Sequence, residues 1–299
     1  MARSAILNVM VNAAIKAGKS LTKDFSEVEN LQVSRKGPAD FVSKADLRAE
    51  QIVYDELLKA RPTYAFLMEE GGEVAGTDGQ HRWLIDPLDG TTNFLHSIPL
   101  FACAIALERA NEIVASVIYN PVLDELYTAE KGGGTWLNDR KRLRVAGRKS
   151  LADAVVCTGI KTQGTANDTL QLRQLAHINP AVAGIRRSGS ISMDMAWLAS
   201  GRYDAIWEAG LAPWDVAPGL LMVKGAGGFV TDFAGSPGSV WNGQVVAGNV
   251  TLQAALLKQL KPILRGNSYP DGLAGGMPAW WNRVRRPLTF LIAPSADAD

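Results

Sequence analysis

The residues best equipped for chemistry lie in one run, Asp86-Pro87-Leu88-Asp89-Gly90-Thr91-Thr92. Two carboxylates three residues apart, on a strand-to-helix turn, can point into one small space. Asp89 through Thr92 reads as the start of a helix, where free backbone N–H groups form a ready anion site. Gly90 lets a ligand approach the backbone closely. One short motif thus offers oxygen ligands for hard cations beside a cradle for phosphate. The same seven residues read equally well as an Asp-Pro turn followed by an Asp helix cap.

Other acidic residues decide between these readings. Glu69-Glu70 follows the apolar run 64–68, Asp215 sits in Pro213-Trp214-Asp215-Val216, and Asp46 closes the stretch that begins at Asp40. Singly, each reads as a cap or a surface charge. Carboxylates placed repeatedly at the ends of apolar strands and the starts of helices suggest convergence on one edge of a sheet, where α/β sites lie. Gathered together they would repel unless protonated or neutralised by metal. All-oxygen ligation without Cys or His favours Mg²⁺ or Mn²⁺ over zinc. No Ser/His or Cys/His arrangement suggests a protein nucleophile.

The elements that must position these residues follow from periodicity. Apolar residues at helical spacing predict helices over 4–24 and 44–60, the second stopped by Pro62. Short apolar runs predict strands at 64–68 and 82–86, with a loop over 71–79 between them. Four β-type runs follow (101–110, 111–121, 124–138 and 142–146) and suggest an antiparallel meander. Beyond about residue 150 the pattern alternates. Strands are expected near 154–160, 184–189, 202–210, 227–233 and 244–249, and helices over 168–177, 190–200, 213–227 and 251–264. Pro213 suits the first turn of its helix.

The bulk numbers exclude some classes. Among 299 residues, 47% are apolar and 20% charged, which is ordinary for a globular enzyme. A net charge of +1 gives no whole-chain argument for nucleic acid. Cys103 and Cys157 sit in apolar runs and read as reduced, buried thiols. No apolar run reaches membrane-span length. Lys16 and Lys19 interrupt the N-terminal stretch, so it reads as an amphipathic helix rather than a signal peptide, and the chain is placed in the cytoplasm.

The quoted motifs resemble the inositol monophosphatase family, in particular its bacterial SuhB-type members. The matching segments are Asp40 to Asp46, Glu69-Glu70, Trp83 to Phe94, Gly189-Ser190 with Asp194 through Asp204, and Trp214 to Gly219. Their order matches the family's, and they span residues 1 to about 262. The resemblance implies a layered αβαβα sandwich of the sugar-phosphatase type, an α/β (α+β) fold with mixed and antiparallel sheets. It implies one catalytic domain over 1–265, with lobes of about 1–150 and 151–265, and a C-terminal extension over 266–299, disordered or docked. It implies two or three Mg²⁺ ions. Glu69, Asp86 and the Leu88 carbonyl would hold one, Asp86, Asp89 and Asp215 a second, and Glu69 with water a third. Thr91 and Asp46 would orient and deprotonate the attacking water.

Leu88, Asp89, Gly90, Thr91 and Asp215 would border the substrate on its phosphate side. Gly189, Ser190, Ile191 and Glu208 would lie near its hydroxyls, with Arg186 beside them. Ile191 departs from the small residue usual there, and would shrink the pocket if its side chain faced it.

The expected activity is hydrolysis of inositol monophosphate or a similar polyol or sugar phosphate. Histidinol phosphate, fructose 1,6-bisphosphate and adenosine 3′,5′-bisphosphate are the alternatives within the class. The resemblance also implies a homodimer and lithium sensitivity. A reading of another class is an accessory factor in ribosomal RNA transcription complexes, which the basic run Lys141, Arg142, Arg144, Arg148 and Lys149 or the 280–292 tail could serve. That tail, with two Trp and three Arg, could also touch a membrane interface.

Overall fold

A computed structural model describes residues 3–27, 33–37, 40–160, 166–238 and 240–264. The expectations for the 266–299 extension lie outside the described residues.

Two helices open the chain. Helix α1 (Ala5–Phe25) is capped by the Ser4 hydroxyl, which accepts from the Leu7 N–H at 3.1 Å. It buries Leu7, Met10, Ala14, Ala17 and Leu21 along one stripe. Between α1 and the second helix lies a hairpin of β1 (Val33–Gly37) and β2 (Asp40–Ser43). Helix α2 (Lys44–Ala60) matches its predicted limits and buries Ala45, Asp46, Ala49, Glu50, Val53 and Leu57. Leu47 instead faces solvent.

An eight-stranded sheet follows, built from β3 (Ala65–Met68), β4 (Gly72–Val74), β5 (His81–Asp89), β6 (Ala102–Arg109), β7 (Glu112–Asn120), β8 (Glu125–Glu130), β9 (Gly134–Leu137) and β10 (Lys141–Arg142). Its spatial order is β10-β9-β8-β7-β6-β5-β3-β4. Only the β3–β5 pair of this sheet is parallel and the other neighbours run antiparallel; β6 to β9 form the expected meander, while the run expected at 142–146 is a strand only at Lys141–Arg142. Part of the expected 71–79 loop is β4, which pairs with β3. The expected strand 124–138 is two strands, because the chain turns back at Lys131-Gly132-Gly133.

The five-stranded second sheet holds β11 (Val155–Thr158), β12 (Gly184–Arg186), β13 (Ala205–Ala209), β14 (Phe229–Thr231) and β15 (Gln244–Gly248), in the order β12-β11-β13-β15-β14. Here β11 pairs in parallel with β12 and β13, while β15 pairs antiparallel with β13 and β14.

The helices complete five layers. α1 and α2 cover one face of the large sheet. A short α3 (Thr91–Leu95) follows β5. α5 (Ile191–Ala199) and α6 (Pro213–Gly225) fill the space between the sheets. α4 (Ala166–Ile178) and α7 (Val250–Leu264) pack together on the outside, and α7 covers the second sheet. This is the αβαβα sandwich that the resemblance implied.

Strand β5 shows why both sheet faces must be covered. Trp83 and Ile85 point into the core under α1 and α2, while Leu84 between them points into the core shared with α5 and α6. All three are fully buried. Alternation with period two therefore feeds two cores from one continuous apolar run.

Candidate active site

The predicted strand ended at Asp86, but β5 continues through Pro87 to Asp89. Its register against β6 shifts on the way: Asp86 lies opposite Ala104 and Asp89 opposite Ala102. Three steps along β5 thus match two along β6, the signature of a bulge. In a regular strand, residues three apart face opposite sides. The extra residue removes that mismatch and brings both carboxylates to one side. It also makes room for Pro87, which has no N–H for a ladder.

Beyond the bulge, Gly90 takes φ 98° as the N-cap of α3. A Cβ there would stand 3.1 Å from the Leu100 carbonyl oxygen and 3.3 Å from Phe101 Cα, so backbone conformation and space both call for glycine.

Asp46, Asp86, Asp89 and Asp215 are each held by hydrogen-bond donors. Asp46 Oδ2 accepts from the Ser43 N–H (2.9 Å) and hydroxyl (2.5 Å), a capping box at the start of α2. Its Oδ1 accepts from the Thr91 hydroxyl at 3.1 Å, and the same hydroxyl lies 3.1 Å from the Leu88 carbonyl. Asp86 Oδ1 accepts from the Leu88 N–H at 3.0 Å. Asp89 Oδ2 accepts from the Ser190 hydroxyl (2.8 Å) and the Ser192 N–H (2.5 Å), so a residue of the first sheet binds the first turn of α5 and its N-cap. Asp215, in the first turn of α6, accepts from the Ala212 N–H at 2.7 Å. Three helix N-termini (those of α2, α5 and α6) therefore meet these acidic groups, and their dipoles favour negative charge there.

Burial and mutual repulsion both act on these acids. Burial pushes the Asp86 carboxyl well above the usual carboxylate range. The charges of Glu69, Asp89 and Asp215 and a hydrogen bond with Glu69 push it further. Asp89 is also raised by burial, against the bonds from Ser192 and Ser190. Asp46 is raised by burial, against those from Ser43 and Thr91. Buried carboxylates that repel one another must be protonated or matched by a cation.

Among the described residues, no three His, Cys, Asp or Glu groups are drawn in tightly enough to enclose an ion as they stand. The fit to a metal rests instead on donor chemistry: mutually repelling carboxylates and a backbone carbonyl, all oxygen, suited to a hard divalent cation.

Around this group stand residues to which sequence reasoning gave no role. Glu50, one helical turn after Asp46 on α2, accepts from the Glu70 and Gly71 N–H groups at 2.9 and 2.7 Å and so fixes the chain just past Glu69. Its spacing of four from Asp46 was the available signal. Asn93 donates to the Leu100 and Ser188 carbonyls at 2.7 and 2.8 Å, tying α3 to the loop before α5. Asp194, one turn into α5, is pushed up by burial to about 7, against bonds from Ser188 and Cys157 and with the charge of Asp89 adding to the rise.

The expected alcohol-side residues divide. Gly189 (φ 87°) and Ser190 lie beside Asn93 and Asp89. Glu208, on β13, stands against Gly159 at the end of β11, where its charge acts on the Cys157 thiol. Ile191 is buried in the core between the sheets. Arg186 is exposed and turns its guanidinium back onto the Ile185 carbonyl, so the structure does not bring it to the carboxylates.

The basic run is partly absorbed by the fold. Arg148 pairs with buried Asp204 at 2.9 Å, and Arg142 lies over the Trp136 ring. Both cysteines are buried free thiols. Among the described residues, no helix is long and apolar enough to cross a membrane.

This sandwich, with acidic groups meeting at a bulged strand between its two sheets, belongs to the inositol monophosphatase family, whose sequence model matches residues 2–265. The chain is a phosphoric monoester hydrolase of that family. It is 59% identical over 261 residues to an inositol-1-monophosphatase from Mesorhizobium japonicum, covering 87% of this chain and 98% of that protein. It is 43% identical over 263 residues to Nus factor SuhB of Pseudomonas aeruginosa, covering 87% and 97%. The crystal structure of the suppressor protein SuhB from Bartonella henselae superposes with a TM-score of 0.83 at 52% identity, covering 86% and 99%.

Proposed function

We propose that this protein hydrolyses inositol monophosphate, or a closely similar polyol phosphate, in a Mg²⁺-dependent reaction. The observation that carries this reading is the burial of Asp86 among the charges of Glu69, Asp89 and Asp215. Glu69, Asp86 and the Leu88 carbonyl would hold one ion, and Asp86, Asp89 and Asp215 another. When bound, such ions supply positive charge against the phosphate and acidify the attacking water.

The chain's own residues do the rest. The Thr91 hydroxyl lies 3.1 Å from both Asp46 Oδ1 and the Leu88 carbonyl; it can pass its proton to the Asp46 carboxylate and accept one from water, while the carbonyl helps to orient it. Burial raises the proton affinity of Asp46, which suits it as the final holder of that proton. The N–H groups of Gly90 and Thr91 would bond phosphate oxygens as charge builds on them. Gly189, Ser190 and Glu208 would border the alcohol, with Glu208 accepting from its hydroxyls.

The test is phosphate release with Mg²⁺ from inositol 1-phosphate, histidinol phosphate, fructose 1,6-bisphosphate and adenosine 3′,5′-bisphosphate. The highest kcat/KM is expected for inositol 1-phosphate. Faster turnover of one of the others would reassign the substrate, and no release from any would refute the reading.

A homodimer belongs to the same proposal. Ile98, Val122 and Leu123 are exposed on two loops joined by the Asn120 amide, which donates to the Pro99 carbonyl at 3.2 Å. Light scattering should return twice the chain mass of 32.1 kDa. A second role in ribosomal RNA transcription complexes is favoured by the name Nus factor SuhB, which relatives from Pseudomonas aeruginosa and Escherichia coli share. Pull-down of Nus factors by an inactive Asp89→Asn variant would test it.

A further inference from the structure

Most glycines around the site have a backbone reason to be there, but Gly159 does not. It lies directly after β11 and is not among the residues with positive φ. Any L-residue could adopt its conformation. What forbids one is space. A Cβ at 159 would overlap the carboxyl group of Glu208, meeting both of its oxygens and its carbon.

The backbone at 159 cannot easily retreat. Thr158, its neighbour, pairs in parallel with Trp207, the residue before Glu208. The Thr158 hydroxyl donates to the Gly159 carbonyl at 3.3 Å. On the other side, the Arg187 guanidinium donates to the Ile160 carbonyl at 2.9 Å. Strand pairing and two side-chain bonds thus hold the segment in place, while Glu208 is a flexible side chain whose far end can swing. An added methyl group would displace the carboxyl and leave the backbone where it is.

The surroundings connect this contact to the site. Arg187 precedes Ser188 and Gly189 in the loop that leads to Ser190, the donor to Asp89. The Cys157 thiol, two residues before Gly159, faces both Asp194 and Glu208.

We propose that Gly159 is a positioning residue for alcohol recognition: its missing side chain is the seat of the Glu208 carboxyl, and so it selects substrates that present hydroxyl groups. The inference rests on Glu208 being the acceptor for those hydroxyls.

The test compares Gly159→Ala, Glu208→Ala and the double variant Gly159→Ala/Glu208→Asp. The substrates are inositol 1-phosphate and phenyl phosphate, which has no hydroxyl on its leaving group. Losing a hydrogen bond to a charged group costs about tenfold or more in binding. Gly159→Ala should therefore raise KM for inositol 1-phosphate by about tenfold while kcat stays within about twofold. Its kinetics with phenyl phosphate should stay near wild type. Shortening the acid by one methylene in the double variant should recover KM to within about threefold, because the carboxyl then clears the new methyl group.

An unchanged KM in Gly159→Ala, or an equal rise for both substrates, overturns the inference. So does a double variant that is worse than Gly159→Ala alone. If Glu208→Ala leaves KM for inositol 1-phosphate unchanged, the role of Glu208 falls and this inference falls with it. If Glu208→Ala raises KM and Gly159→Ala does not, only the role of Gly159 falls.

Discussion

Replacing Gly90 by Ala tests whether the bulged end of β5 is as tightly specified as its geometry says. At φ 98° a Cβ carries the left-handed penalty, about 1–2 kcal/mol. Crowding adds to it. The new methyl group would meet the Leu100 carbonyl at 3.1 Å and Phe101 Cα at 3.3 Å, backbone atoms that cannot rotate away. Overpacking of this kind adds about 1–2 kcal/mol. The sum is about 2–4 kcal/mol, or roughly 4–7 °C in thermal midpoint for a domain of this size.

Gly132 supplies the control. Its φ is 80°, and nothing lies within 4 Å of a Cβ added there. Gly132→Ala should lose only the conformational part, about 1–2 kcal/mol. The two variants should also separate in activity. Relieving the crowding at Gly90 moves N–H groups proposed to bond phosphate, and a shift of a few tenths of an ångström costs about tenfold in kcat/KM. Gly132→Ala should stay within about twofold of wild type. Thermal melts and phosphate-release kinetics on both variants decide the matter. The reasoning is refuted if Gly90→Ala loses no more stability than Gly132→Ala and keeps its kcat/KM.

Other predictions rest on buried charge. Arg82 donates twice to Glu108 Oε2, at 3.0 and 2.6 Å, with both side chains buried and the guanidinium over the Trp241 ring. Arg82→Met leaves Glu108 buried and uncompensated and should cost about 3–5 kcal/mol, while adding Glu108→Leu should restore most of it; thermal melts in which the double variant is worse than the single would refute this. Asp194 has its folded-state pKa raised from 3.8 to about 7, so the folded chain binds that proton more tightly than the unfolded one. Its contribution is present in full below pH 3.8 and is lost as pH rises toward 7. In metal-free buffer, Asp194→Asn should therefore gain on wild type across that window, by up to about 4 kcal/mol. Denaturant melts at several pH values would show it, and a gap that closes as pH rises would contradict it.

How much was legible in the sequence depended on which physical signal each element carries. Helix α2 showed its limits because Ser43 caps it and Pro62 follows it, and the large sheet's strands showed as apolar runs because both of their faces are covered. The hairpin of β1 and β2 left no such signal, since its sequences VSRKG and DFVS are largely polar. β4 was hidden because three residues beginning with glycine look like a loop. The strand was expected to end at Asp86, and only pairing with β6 reveals the bulge that carries it through Pro87 to Asp89.

At the site, the expected acids could be named because such carboxylates recur at the ends of apolar strands and the starts of helices and fall in motifs that resemble a known family, although each alone reads as a cap or a surface charge. Glu50 and Ser192 were not named, and Asn93 was given no role of its own. Each acts on a backbone group or carboxylate brought near by the fold, and Ser192 reaches Asp89 across 103 residues of chain. Such partners follow from topology rather than from local pattern.

The most direct measurement removes divalent ions with a chelator, confirms folding by thermal melt, and follows phosphate release from inositol 1-phosphate as Mg²⁺ is returned. The account predicts no release before addition and a saturable rise after it. It also predicts that Asp86→Asn folds but shows neither the rise nor heat of Mg²⁺ binding by calorimetry. Full release from the stripped protein, or Mg²⁺ binding and turnover undiminished in Asp86→Asn, would contradict it.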